Sequence, residues 1–213
     1  DVVLSFFALV VLAPFLLPVV VILRFTGEGE VFYIQERAGL GGNSFGLYKF
    51  ATMLKNSPNI GAGEITVQGD PRVLPFGQFL RKTKLNELPQ LWNIFIGDMS
   101  VVGPRPMVLN TYAHYPEEAR QKLNTIRPGL TGIGSIVFRD EERYLADRDE
   151  PMEFYREHII PYKSDLELWF VENNTLWLYI KIIFVTAWVV VFSSSTIVDK
   201  AFDGIPSLPD SLI

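Results

Sequence analysis

The sequence predicts a small α/β-type domain, mostly helical with a short β-hairpin, attached to a membrane through an apolar N-terminal run. Three observations predict it. The 213 residues suit one domain, yet mean hydropathy is +0.20 and only 20% of the chain is charged. The apolar excess lies at the two ends, while the middle mixes short β-like stretches with helical periodicity. Sixteen glycines and fourteen prolines argue against an all-helical bundle. The same composition excludes whole classes. A hydrophobic content of 48% is too high for a disordered chain. The absence of cysteine excludes a disulfide scaffold and a cysteine-ligated zinc or iron–sulfur site. Two histidines, His114 and His158, are too few for a His-rich metal centre.

Residues 2–23 carry no charge, and Ser5 is their only conventionally polar side chain. A straight helix of that length reaches ~33 Å, enough for a bilayer core of ~30 Å. No small-x-small cleavage site follows, so a secretory signal peptide fits poorly. Pro14 and Pro18 fall inside the run; each lacks an N–H and crowds the carbonyl four residues back, which predicts a kink near Pro14. The residues alone leave two arrangements open, a kinked spanning helix and a re-entrant hairpin.

Residues 31–35 and 45–50 are strand-like and flank a turn with Gly39, Gly41, Gly42 and Asn43, which predicts a hairpin. Residues 56–63 are expected to form a loop, and residues 73–81 a short helix. Leu85, Leu88, Leu91, Trp92, Phe95 and Ile96 have helical spacing; Asn86 suits the N-cap, Pro89 the first turn and Gly97 the end. Residues 103–106 form a stiff loop in which Pro104 and Pro106 flank Arg105. Residues 111–123 look helical, residues 127–134 form a glycine-rich loop, and a charged helical segment starts at Arg139. The second apolar stretch, residues 176–192, is either a short span or a helix lying in the interface, where Trp169, Trp177, Tyr179 and Trp188 are at home. Residues after 193 look loosely ordered.

Charge is uneven. Residues 24–127 have a balance of +3 and residues 128–213 a balance of −7. A mildly basic half beside an apolar anchor suits anionic headgroups or phosphorylated ligands, and is too weak for nucleic acid. Arg81, Lys82 and Lys84 precede the helix expected from residue 86, Glu87 sits on its first turn, and Asp98 and Arg105 follow it. Cations near a helix start attract anions, arginine forks fit phosphate oxygens, and a carboxylate among phosphates holds Mg²⁺. Phosphoryl transfer at a membrane surface fits this set. The same residues also fit a plain solvated patch with Asn86 as a cap. No Gly-Lys-Ser/Thr follows the glycine-rich loop, so it is not a P-loop.

Several motifs, taken in order, resemble a known family: Val31-Phe32-Tyr33-Ile34-Gln35-Glu36-Arg37, Tyr48-Lys49-Phe50-Ala51-Thr52-Met53, Asp70-Pro71-Arg72 with Leu80-Arg81-Lys82-Thr83, then Asn86-Glu87-Leu88-Pro89-Gln90-Leu91-Trp92-Asn93 running on to Gly103-Pro104-Arg105-Pro106, and Arg127-Pro128-Gly129-Leu130-Thr131-Gly132. The chain resembles the bacterial sugar transferases, the monotopic phosphoglycosyl transferases, over roughly residues 1–190. The resemblance implies transfer of a sugar-1-phosphate from a UDP-sugar to polyprenyl (undecaprenyl) phosphate, with release of UMP and with Mg²⁺ as cofactor. It implies a bilayer partner and no nucleic acid, and it is compatible with a homodimer. It selects the hairpin, with the break at Ala13-Pro14, and places the catalytic part on the cytoplasmic face of the bacterial inner membrane. The implied layout is a re-entrant helix over residues 1–25, a catalytic domain over 26–165, an interfacial amphipathic helix over 166–192 and a tail over 193–213.

Within that reading the following roles are expected. Glu87 holds Mg²⁺ or attacks phosphorus, Lys49 neutralises developing charge, Arg105 binds the donor phosphate between Pro104 and Pro106, and Arg81 and Lys84 face the acceptor headgroup. Arg72, Gly129 and Gly132 complete the phosphate-handling set, with Asp98 and Asp140 as secondary candidates. Two positions depart from the pattern. Asn86 stands where the family has a nucleophilic aspartate, and Ala51 where it has an arginine. With Asn86, three routes remain: direct attack by the acceptor phosphate, attack by Glu87, or a membrane-anchored binding protein without turnover.

Overall fold

The computed structural model describes residues 1–60, 66, 69–146, 148, 150–192, 195 and 197–212. It opens on α1 (Val2–Phe25), a single helical segment that contains both Pro14 and Pro18 and is long and apolar enough to cross a membrane. One side of α1 lies along the rest of the protein. Ala8, Leu9 and Leu12 pack on Leu47, Leu91, Ile94 and Met99, while Leu16, Val19, Val20 and Leu23 pack on Phe50 and Leu80. At its start the Ser100 hydroxyl donates to Asp1 at 2.6 Å, and Tyr179 donates to the same carboxylate. Both ends of α1 therefore touch the same body. The other side exposes Val3, Leu4, Phe7, Val10, Val11, Phe15, Leu17 and Val21. In water each such side chain forgoes about 1.5–3 kcal/mol of transfer free energy, so this side calls for apolar surroundings.

The hairpin forms as the alternation predicts. Strands β1 (Phe32–Ala38) and β2 (Ser44–Phe50) pair antiparallel from Phe32↔Phe50 to Ala38↔Ser44. Its turn passes through Gly41 and Gly42 at φ of 70° and 76°, which glycine adopts without strain. Of the loop expected at 56–63, residues 57–59 form a 3-10 turn and 61–63 lie outside the described residues. Helix α2 (Pro75–Lys82) follows, with proline at its first position.

The helix expected from Asn86 is not continuous. Residues Leu85–Glu87 form a 3-10 turn entered through Lys84 at φ 58°, and α3 (Gln90–Ile96) starts only after Pro89. Proline lacks the N–H and crowds the preceding turn, so the α-helix begins beyond it. Asn86 makes no cap hydrogen bond. Asn93, fully buried on α3, clasps β2: its Oδ1 accepts the Tyr48 N–H at 3.0 Å and its Nδ2 donates to Gly46 O at 2.8 Å.

Strand β3 (Ser100–Val102) leads to α4 (Leu109–Ala113) and α5 (Glu117–Leu123), two helices where one was expected, separated at Pro116. The glycine-rich segment is β4 (Gly129–Thr131), parallel to β3 through Ser100↔Gly129 and Val102↔Thr131, followed by α6 (Ile133–Val137). Among the described residues the charged segment before Pro151 forms a 3-10 turn, Glu141–Arg143. Helix α7 (Pro151–Phe154) runs through a π-helical stretch, Tyr155–Ile159, into α8 (Ile160–Asn173). Helix α9 (Leu176–Val191) is capped by Thr175, whose Oγ1 accepts the Leu178 N–H at 3.2 Å. Its inner face, Leu178, Ile182, Val185 and Val189, joins Ile133, Ile159, Leu166 and Phe170 in the main core, and its outer face exposes Leu176, Trp177, Phe184 and Trp188. The described part of the tail contributes to the core. Ser193 and Ser194 lie outside the described residues, but α10 (Ile197–Ala201) and the turn Asp210–Leu212 bury Val198, Phe202 and Leu212 in that core.

Candidate active site

Glu87 is the centre of the site. It ends the 3-10 turn that Pro89 separates from α3, and β2 lies across that turn. On β2, Lys49 continues the face that carries Leu47 toward α3, as strand alternation requires. The Lys49 ammonium comes to 3.8 Å from Glu87 Oε1. From the other side the 103–106 loop brings the Arg105 guanidinium to 3.3 Å from the same oxygen. All three side chains line one cavity of about 2030 Å³ that also takes in Asn86, Arg81 and Lys84.

The electrostatics follow from burial and neighbours. Burial pushes the Glu87 carboxyl up, but Arg105, Lys49 and Lys84 together outweigh it and hold the group at about 2. Burial drives Lys49 down to about 7, with Glu87 opposing and the Arg37, Arg105 and Arg81 charges adding to the fall. The Glu87 charge raises Arg105 above the usual arginine value against the cost of burial. One carboxylate therefore faces several cations, and the excess positive charge is uncompensated in a concave, partly desolvated place. Such a place suits a multiply charged phosphate.

The other expected residues divide. Arg81 lines the cavity and donates to Glu142 Oε1 at 3.1 Å; Lys84 lines it too and donates to Arg139 O at 3.5 Å. Asn86 is 8% exposed, and its Oδ1 has no hydrogen-bond partner among the described residues. Pro104 and Pro106 hold Arg105 through their carbonyls, which accept the Gly129 N–H at 2.8 Å and an Arg37 N–H at 3.0 Å.

Arg72, Gly129 and Gly132 are not brought to Glu87 as ligands. Arg72 is buried against Asp70 at 2.6 Å and donates to Ser57 O and Ile60 O, both at 2.8 Å, so its guanidinium ties the 57–60 turn to Asp70. A Cβ at Gly129 would lie 2.1 Å from Gly103 N, and one at Gly132 2.1 Å from Gly103 O. These glycines let the β3 and β4 segments approach closely and set the height of the Arg105 loop. Asp98 accepts from Asn93 at 3.4 Å and serves the hairpin clasp, and Asp140 is exposed.

Sequence reasoning missed Arg37, Asn93 and Glu167. Arg37 lies on β1 opposite Phe45, donates to Pro106 O and to the Gln35 side chain, and is lowered to about 10 by burial and then by Arg105. Its place inside the first of the matched motifs was the available signal. Glu167, on α8, accepts the Arg105 N–H, and no local sequence pattern marks it.

The family model for bacterial sugar transferases matches residues 1–193. The chain belongs to the bacterial sugar transferase family. Similar proteins include the UDP-N-acetylgalactosamine-undecaprenyl-phosphate N-acetylgalactosaminephosphotransferase of Aeromonas hydrophila, 31% identical over 188 residues that cover 87% of this chain and 41% of the relative. The UDP-glucose:undecaprenyl-phosphate glucose-1-phosphate transferase of Xanthomonas campestris pv. campestris is 33% identical over 190 residues, 88% of this chain and 37% of the relative. The exopolysaccharide production protein ExoY of Sinorhizobium fredii is 39% identical over 160 residues, 68% of this chain and 70% of the relative. The chain thus spans about two fifths of the length of the first two. In this bacterial sugar transferase the cluster around Glu87 uses residues from three separate segments, β2, the 85–87 turn and the 103–106 loop, that the fold brings together.

Proposed function

We propose that the chain transfers a sugar-1-phosphate from a UDP-sugar to polyprenyl phosphate, releasing UMP, on the cytoplasmic side of a bacterial inner membrane. The observation that carries this reading is the half-buried Glu87 held by Lys49 and Arg105 in a cavity with excess positive charge. The names of the relatives, which specify undecaprenyl phosphate and UDP-sugars, support the same substrates. In the direct route an oxygen of the acceptor phosphate attacks the β-phosphorus of the donor, and the bond from that phosphorus to the bridging oxygen breaks. The electron pair leaves with UMP. The acceptor is already an anion, so the protein's work is to position two anions and neutralise them. Arg105 and Lys49 face the donor diphosphate, and Arg81 and Lys84 face the acceptor headgroup.

The residues present fit Mg²⁺ in its usual mode of one or two protein oxygens completed by phosphates and water. Glu87 supplies a carboxylate ionised at any physiological pH, and Asn86 Oδ1 is a buried oxygen with no partner among the described residues. Bound there, Mg²⁺ would neutralise diphosphate charge.

The membrane reading is a one-sided attachment in which α1 enters and leaves by the same face, bending at Ala13-Pro14, with α9 in the interface. Two facts support it. One side of α1 packs on the rest of the protein from Asp1 to Leu23, and its other side is apolar and exposed, as are Trp92 and Ile96 of α3 and Trp177, Phe184 and Trp188 of α9. A second reading, a binding protein without turnover, is favoured by the carboxamide of Asn86 at the position where the resemblance places a nucleophile. Turnover decides between them. The protein in lipid nanodiscs is incubated with a panel of UDP-sugars, undecaprenyl phosphate and Mg²⁺. UMP release that needs the acceptor supports transfer; no UMP from any donor supports the binding protein.

A further inference from the structure

Glu167 is 1% exposed, the most buried carboxylate among the described residues, and the chemistry above does not use it. It stands on α8, yet its Oε1 accepts the main-chain N–H of Arg105 at 3.1 Å. Space for that contact comes from Gly134 on α6, where a Cβ would sit 2.4 Å from the same oxygen. Pro104 and Pro106 have no N–H, so within 104–106 Arg105 alone can donate from the main chain. The rest of the loop is fixed from other elements: the Gly103 N–H donates to Thr131 O at 2.9 Å, and the Pro104 and Pro106 carbonyls accept from Gly129 and Arg37. Arg105's own peptide is held by Glu167. The direction of that peptide sets where the Arg105 side chain departs toward Glu87.

We propose that Glu167 is a positioning residue, a main-chain acceptor on α8 that aims Arg105 at Glu87 and at the donor phosphate. Its consequence for catalysis rests on the transferase reading; the contact itself does not. Burial pushes the Glu167 carboxyl up to about 7, opposed by the Arg105 N–H and by the Lys163 and Arg105 charges. The role needs an oxygen at Oε1 rather than a full charge, so the carboxamide of glutamine can replace it.

The test uses the full chain with Glu167→Gln, which keeps the acceptor, and Glu167→Met, which keeps the length and removes it. Hydrogen exchange at the Arg105 amide reads the contact directly and needs no activity. Exchange rises in Glu167→Met and stays near the parent rate in Glu167→Gln. In UMP release, Glu167→Gln stays within ~3-fold of the parent, while Glu167→Met loses ~10-fold or more in kcat/KM, as expected for a misplaced binding group. In an Arg105→Ala background the same Glu167→Met change costs less than ~2-fold, because the residue it positions is gone. If Glu167→Met does not fold, Gly134→Ala, which presses on Oε1 from the other side, takes its place with the same expectations. An Arg105 amide that exchanges equally in all forms overturns the proposal, as does a loss of equal size with and without Arg105. A parent that releases no UMP overturns the transferase reading, and amide exchange still decides whether Glu167 holds Arg105.

Discussion

Replacing Glu87 with glutamine keeps the shape of the site and removes the carboxylate that pairs with both Arg105 and Lys49. The depression of Glu87 from 4.5 to about 2 measures how strongly the fold favours the ionised form. At 1.36 kcal/mol per unit this amounts to ~3 kcal/mol, close to the usual cost of breaking a buried ion pair. For a domain of this size ~3 kcal/mol corresponds to ~6–12 °C in Tm. The sign with pH is fixed as well. The folded pKa lies below the unfolded one, so this stabilisation is present above 4.5 and is lost as pH falls toward 2. Thermal unfolding of the detergent-solubilised protein, in EDTA so that no divalent ion contributes, compares parent and Glu87→Gln at pH 7 and pH 3.5. The variant melts ~6–12 °C below the parent at pH 7, and the gap narrows at pH 3.5. A gap under ~2 °C at pH 7, or one that widens in acid, refutes the placement of Glu87 among the cations.

Three further outcomes follow from the geometry. Asn86→Asp puts a carboxylate in the cavity; incubated with donor alone it acquires the mass of a phosphosugar, while the parent acquires none, and an adduct on the parent would move the attack to Glu87. Gly129→Ala forces a Cβ to 2.1 Å from Gly103 N and should prevent folding or lower Tm by more than ~10 °C, whereas Gly97→Ala, with open space around it and only φ 92° to strain, costs ~1–2 kcal/mol; equal Tm values for the two would contradict the close β3–β4 approach. Asn93→Leu strips the partners from Tyr48 N–H and Gly46 O and lowers stability by ~2–4 kcal/mol, read as a lower urea midpoint; an unchanged midpoint would show that the clasp contributes nothing.

The hairpin, α2 and the end of α3 at Gly97 were legible because local rules decide them: alternation, a proline at a helix start, a glycine at a helix end. The 127–134 segment was not. Gly129 and Gly132 look like loop glycines until the partner strand, some thirty residues earlier, shows that they are there for close approach. Pro116 and Pro89 divide what periodicity alone joins into single helices. The tail's contribution to the core is not legible because Val198, Phe202 and Leu212 stand apart among serines and prolines and meet the core only in three dimensions. In the site, Glu87, Lys49 and Arg105 were recognisable by type and motif. Arg72 was not separable from them, since a motif does not reveal that Asp70 already occupies its guanidinium. Glu167 was invisible because its meaning depends on a contact 62 residues away in sequence.

The Glu87 cluster is proposed to transfer a sugar-1-phosphate to a lipid phosphate. The most direct measurement is mass spectrometry of the lipid fraction after incubation of liposome-bound protein with undecaprenyl phosphate, Mg²⁺ and a UDP-sugar that gave UMP. The parent should yield the undecaprenyl diphosphosugar in step with UMP, and Glu87→Gln should yield ~100-fold less, the scale of losing one preorganised charged group. UMP without the lipid product, or equal product from Glu87→Gln, would contradict transfer by the Glu87 cluster.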